Sequence, residues 1–135
     1  MKKVILIFVV LVMISCSKDD NKELMQQGIY GKWYHKEIVI NNITFPYDDH
    51  EVCGKDYLEF YDENKIRSID VWVCQEDVDW IGTFTKSGNN LTISNGTESR
   101  TVEIIELTAN SLVYTYDFDQ DNDGIVENYI EKFDR

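Results

Sequence analysis

Side chains that catalyse reactions are scarce in this sequence of 135 residues. Histidine occurs only twice, at His35 and His50, and neither stands in a motif that would pair it with a nucleophile. Carboxylates are abundant, but among 25 acidic side chains no particular pair is marked out as an acid and a base. The sequence therefore predicts a protein that is not an enzyme.

Basic side chains are also few. Thirteen Lys and Arg residues stand against 25 Asp and Glu residues, which gives a formal net charge of −12. Nucleic acids and anionic lipid surfaces repel such a chain, so no nucleic-acid partner is expected. A basic protein is an electrostatically favoured partner, and the acidic residues available to it concentrate at 48–63 and at 117–135.

The chain has one long apolar run, and this run is too short to cross a bilayer. A basic start at residues 1–3 precedes eleven uninterrupted apolar residues at 4–14, whereas a membrane-spanning helix needs about 20. A basic start with such a run is typical of an export signal. The run ends in MISC at 13–16, which resembles the lipobox of bacterial lipoproteins, whose cysteine is acylated. This resemblance predicts a signal peptide over residues 1–15 and lipidation of Cys16.

Residues 16–27 are predicted to tether a folded domain to the lipid bilayer through acylated Cys16. The segment KELMQQ at 22–27, stopped by Gly28, favours a short helix before that domain. The sequence SKDD after the cysteine resembles the export tag of surface-exposed Bacteroidetes lipoproteins, which implies an outer-membrane protein at the cell surface. A periplasm-facing protein is the alternative. Residues 28–135 are long enough for one domain.

Three cysteines leave one unpaired in an exported chain. With Cys16 assigned to lipid, Cys53 and Cys74 form an even pair, and a disulfide between them is predicted. Closing a loop of about twenty residues would stabilise the fold by roughly 3 kcal/mol. Two buried free thiols are the alternative.

Beyond Gly28, short runs of β-branched and aromatic residues alternate with Gly, Asn and Asp clusters, as in strands joined by tight turns. Residues alternate between two faces, so Tyr114, Tyr116 and Phe118 share one face of their strand. Eight strands are predicted, at 32–40, 57–61, 65–73, 80–86, 91–94, 100–107, 112–118 and 125–133. The close turns predict an all-β antiparallel meander, and closure into an eight-stranded up-and-down barrel would remove its free edges.

An ordered series of short motifs resembles the small lipocalin-like domains of Bacteroidetes lipoproteins. The series consists of GKW at 31–33, KDYLEF at 55–60, GTF at 82–84, GNNLTI at 88–93 and LTANSL at 107–112, together with Cys53 and Cys74. The resemblance covers residues 28–135. It implies a lipocalin-like barrel with a tryptophan at its closed end, and it implies no particular ligand.

The aromatic residues, three Trp, eight Tyr and six Phe, can either line a cup for an apolar ligand or fill the barrel. Two functional hypotheses follow. The first is a membrane-anchored lipocalin-like lipoprotein that binds a small apolar or amphipathic molecule. The alternative is an acidic interaction or inhibitor-type module on the cell surface, with a packed barrel and no small ligand, which engages a basic protein.

Residues 119–124, DQDNDG, match the first six positions of a calcium loop, in which alternating carboxylates supply oxygen ligands and glycine allows a sharp turn. Position twelve is Ile130 instead of glutamate, and Glu127 is the nearby substitute. Two interpretations stay open. One is a weak calcium site, and the other is a solvated acidic hairpin loop. The candidate calcium ligands are Asp119, Asp121, Asp123 and Glu127.

Overall fold

The computed structural model describes residues 28–135, which form nine β-strands. The strands are β1 (Gly31–Ile40), β2 (Ile43–Pro46), β3 (Tyr57–Tyr61), β4 (Lys65–Trp72), β5 (Gln75–Ser87), β6 (Asn90–Ser94), β7 (Ser99–Leu107), β8 (Ser111–Phe118) and β9 (Glu127–Asp134). Sequential strands pair from β3 to β9, and β1 pairs with both β3 and β9. These eight strands close an antiparallel barrel, which confirms the predicted fold.

The predicted signal peptide, the lipidated Cys16 and the helix at 22–27 all lie outside the described residues. Within residues 28–135, no helix is long and apolar enough to span a membrane.

The sequence analysis does not predict β2. This short strand pairs with the second half of β1, and the Ile40–Ile43 pair closes their hairpin. Asn41 and Asn42 form its two-residue turn with φ angles of 48° and 68°. Asparagine tolerates this left-handed conformation, so the Asn-Asn dipeptide between two β-branched runs is the signal that indicates the hairpin.

Seven predicted strand boundaries are off by one residue, as at β4, which ends at Trp72 instead of residue 73. Two are off by more: β9 begins at Glu127 instead of residue 125, and β5 begins at Gln75 instead of residue 80. The polar run 75–79 has the composition of a loop. It nevertheless forms a strand because β4 supplies its hydrogen-bonding partners, as in the Val71–Glu76 pair.

The β4–β5 hairpin turns through Val73 and Cys74, which have φ angles of 52° and 61°. Cys74 forms a disulfide with Cys53, with a distance of 5.5 Å between the two Cα atoms. The predicted disulfide is therefore present in the structure. It ties this hairpin to the loop that connects β2 with β3.

Replacing Val73 with asparagine is expected to stabilise the protein by about 1 kcal/mol, because a β-branched residue is disfavoured in the left-handed region that asparagine tolerates. Little burial is lost, since Val73 is 67% exposed. Denaturant unfolding of parent and variant measures the change. Val78→Asn is the matched control, because Val78 is 51% exposed on β5 and asparagine is depleted in strands. We expect the control to lose stability, and a V73N variant no more stable than the parent would contradict the argument.

The hydrophobic core fills one end of the barrel, here called the closed end. Trp33 is completely buried there, and its indole N–H donates to the carbonyl oxygen of Ile29 at 2.7 Å. Arg135 lies over the Trp33 ring at 3.9 Å and donates to the carbonyl oxygen of Gly28 at 3.2 Å. The tryptophan implied by the resemblance is thus in place, and both ends of the described chain meet beside it.

Candidate functional site

The opposite half of the barrel contains an open cavity of about 730 Å³. Side chains from all eight barrel strands and from the β6–β7 loop line it. They are His35, Leu58, Ser68, Trp80, Ile93, Asn95, Glu98, Ser99, Arg100, Tyr114, Tyr116, Phe118 and Glu131. The interior is therefore open in this half, whereas the alternative hypothesis of an interaction module expected a packed barrel.

Glu131 projects into this cavity from β9, directly opposite Tyr114 on β8. Its carboxylate accepts hydrogen bonds from the hydroxyl groups of Tyr114, at 2.9 Å, and Tyr116, at 2.6 Å. Burial, followed by the negative charge of Glu131, raises the pKa of both tyrosines above the ordinary value. Both hydroxyls therefore keep their protons at neutral pH and act as donors to the carboxylate.

Arg100 lies at the mouth of the cavity on β7. Its guanidinium group lies over the rings of Tyr116, at 4.7 Å, and Phe118, at 4.5 Å. None of the ion pairs within residues 28–135 includes Arg100. The two rings position a cation at the entrance while its N–H groups stay available to a ligand.

His35 contributes an uncharged imidazole to the cavity wall. Its ring stacks on Tyr47 and contacts Phe133, each with 4.8 Å between ring centroids. Burial lowers the pKa of His35 from 6.5 to about 4, and nearby Asp56 opposes this effect while His50 adds to it. His35 therefore adds no charge to the cavity wall at neutral pH.

The loop between β2 and β3 is fixed to the barrel by a buried carboxylate. Asp56 accepts hydrogen bonds from the Tyr47 hydroxyl and from the backbone N–H of Val71, each at 2.7 Å. The N–H of Asp56 donates to Nδ1 of His50 at 3.1 Å, so the proton of this imidazole is on Nε2, which donates to the carbonyl oxygen of His35 at 2.7 Å. Together with the disulfide, these bonds hold the loop against β1 and β4.

Three of the four predicted calcium ligands come together in the β8–β9 loop. Asp119, Asp121 and Asp123 offer oxygen atoms within 4.8 Å of one another. Glu127 is not in this group, and its carboxylate instead accepts a hydrogen bond from the N–H of Gln120 at 3.4 Å. Backbone amides of the loop donate to the three clustered carboxylates at 2.7–3.2 Å. These bonds also suit an acidic turn without an ion, so calcium binding stays a prediction.

Sequence reasoning missed most of this site. The aromatic row of β8 was predicted from its alternation, but nothing singled out Arg100 or Glu131 among the charged residues. The available signal was positional. Glu131 alternates with the buried Tyr129 and Phe133 on β9, so a charged residue occupies an inward-facing position.

Comparisons with known proteins agree with the barrel fold. Residues 29–114 match the family model described as a lipocalin-like domain. No curated protein matches the chain. A lipocalin-like protein from Bacteroides uniformis superposes with a TM-score of 0.57 at 12% identity, covering 80% of this chain and 98% of that one. A protein from Bacteroides eggerthii superposes with a TM-score of 0.56 at 13% identity, covering 79% of this chain and 98% of that one. Apocrustacyanin C1 superposes with a TM-score of 0.51 at 18% identity, covering 90% of this chain and 71% of that one. At these identities the likeness shows the fold alone.

Proposed function

Because the chain belongs to the lipocalin-like domain family, we propose that it is a binding protein whose barrel holds a small apolar or amphipathic molecule. The open cavity is the observation that carries this proposal. Its volume of about 730 Å³ lies within the range of about 300–1,000 Å³ typical of small-molecule sites. Leu58, Trp80 and Ile93 give it an apolar wall, while Arg100 and Glu131 add polar groups. This mixture favours an amphipathic ligand.

The proposal includes anchoring to the outer membrane, at the cell surface, through acylated Cys16. It is supported by the lipobox-like sequence at 13–16 and by the export signal before it. The intact mass of the protein, purified with detergent from the cells that make it, tests this part. We expect residues 1–15 to be absent and the remaining chain to be heavier by its acyl groups. A chain without lipid would refute anchoring and leave the binding proposal untouched.

A ligand in the cavity is expected to change the fluorescence of Trp80, which lines the cavity wall. Trp72 provides a matched control, because it is 64% exposed on the β4–β5 hairpin and does not line the cavity. Titration with dodecanol should change the emission of the Trp72→Phe variant, as it does in the parent, and the change should be absent in Trp80→Phe. A response that survives in W80F and disappears in W72F would place the ligand outside the barrel.

A further inference from the structure

We infer that the cavity selects a molecule whose polar end carries both a negative and a positive charge, as the zwitterionic head of an amino acid does. Arg100 binds the anionic group and Glu131 binds the cationic group. This inference rests on the proposed function, the binding of a small molecule in the barrel. Its starting point is that Arg100 and Glu131 carry opposite charges and line one cavity, yet no ion pair within 4.0 Å joins them among residues 28–135.

Tyr116 contacts both charged groups. Its hydroxyl donates to Glu131 at 2.6 Å, and its ring face supports the Arg100 guanidinium at 4.7 Å. The Tyr114 hydroxyl also donates to Glu131, and the Arg100 guanidinium also lies over the ring of Phe118. Each charged group therefore has two aromatic neighbours, Tyr116 being common to both, and both groups face the same cavity.

Both charged groups keep hydrogen-bonding capacity for that ligand. The Glu131 carboxylate has about four acceptor positions, and the two tyrosine hydroxyls occupy one on each oxygen. The ammonium group of a ligand can donate to the others. A guanidinium group stacked on ring faces presents its N–H donors at its edge, where a ligand carboxylate can accept two of them.

The charges disfavour ligands of a single sign. An anionic ligand gains the attraction of Arg100 but is repelled by Glu131, and the acidic loop at 119–123 beside the mouth adds to this repulsion. A cationic ligand gains the attraction of Glu131 but is repelled by Arg100 at the mouth of the cavity. Only a ligand that carries both groups gains both interactions, and its carbon chain can then pack on Leu58, Trp80 and Ile93.

Four ligands that share a twelve-carbon chain test the inference on the whole protein: dodecanol, dodecanoate, dodecylamine and 2-aminododecanoic acid. Titration calorimetry gives the affinity of each. We expect 2-aminododecanoic acid to bind about tenfold more tightly than each of the other three, the gain typical of an added charge-assisted hydrogen bond.

Two variants then assign the groups. Arg100→Gln should weaken binding of the two carboxylate ligands and spare dodecylamine, whereas Glu131→Gln should weaken binding of the two amine ligands and spare dodecanoate. Matched controls remove the same charges outside the cavity, at the exposed Lys65 and Glu103. The variants K65Q and E103Q should keep the parental order of affinities. If E131Q does not fold, the R100Q arm alone decides whether the carboxylate is recognised.

The possible results separate the two proposals. Failure of all four ligands to bind would refute the proposed function. Equal affinity for all four ligands would overturn the inference that the cavity selects a zwitterionic head. The barrel would then bind the carbon chain without distinguishing between head groups. Dodecanoate binding more tightly than 2-aminododecanoic acid would also overturn the inference, because Glu131 would then add nothing.

Discussion

Replacing Trp33 with alanine is expected to lower the free energy of unfolding by about 3–5 kcal/mol, the usual cost of truncating a large buried aromatic residue. Trp33 is completely buried. Its removal also leaves the carbonyl oxygen of Ile29 without the donor that now lies 2.7 Å away. Arg135 loses the ring on which it lies. Denaturant unfolding followed by circular dichroism measures the loss.

Trp72→Ala is the matched control for this change, because Trp72 is 64% exposed. The W72A variant should lose less than about 1 kcal/mol in its free energy of unfolding. Similar losses in the two variants would show that the closed end is not where the fold derives its stability.

Replacing Gly82 with alanine is the second change with a large expected effect. It should lower the free energy of unfolding by about 2–3 kcal/mol, because the added methyl group has no space. A Cβ atom at this position would clash with the carbonyl oxygen of Ser94 on β6, and that oxygen belongs to the backbone. Gly82 stands between Trp80 and Phe84 in the inward-facing row of β5. The substitution must therefore push β5 away from β6, the strand that carries Ile93 of the cavity wall.

Gly96→Ala separates this clash from the general cost of replacing glycine. Gly96 has open space around its Cα atom but a φ angle of +92°, so its substitution should cost about 1 kcal/mol for conformation alone. We further expect G82A to weaken dodecanol binding and G96A to leave it unchanged. Equal stability of G82A and the parent would mean that β5 and β6 can separate freely at this point.

The sequence predicts the strands where local signals are strong and misses them where pairing decides. Alternation on β8 and turn residues such as Gly88 are local features, and the strands next to them are found. The run 75–79 is acidic and becomes strand only because β4 lies beside it. Closure of the barrel is a long-range property as well, since it depends on β1 pairing with β9. The sequence analysis predicts closure from the free edges that a meander would otherwise leave, and the resemblance to a known family implies the same barrel.

The candidate site was harder to predict than the fold, because its groups come from different strands. Arg100, Tyr116 and Glu131 lie on β7, β8 and β9, and no spacing in the chain shows that they meet. Aromatic content likewise does not distinguish a lined cavity from a filled barrel. The calcium pattern is local, and there the sequence brings three aspartates together as expected. Glu127 was chosen by position along the chain, and the turn directs it to Gln120 instead.

The meeting of Gly28 and Arg135 at the closed end has a mechanical consequence. β1 and β9 are antiparallel neighbours, so a force pulling these two residues apart loads their hydrogen bonds from one end of the ladder. The pair Tyr34–Asp134 is the first to be strained, and Ile40–Tyr129, beside the mouth, is the last. A barrel pulled in this way unzips bond by bond at low force instead of shearing, and its cup is the last part to lose its shape.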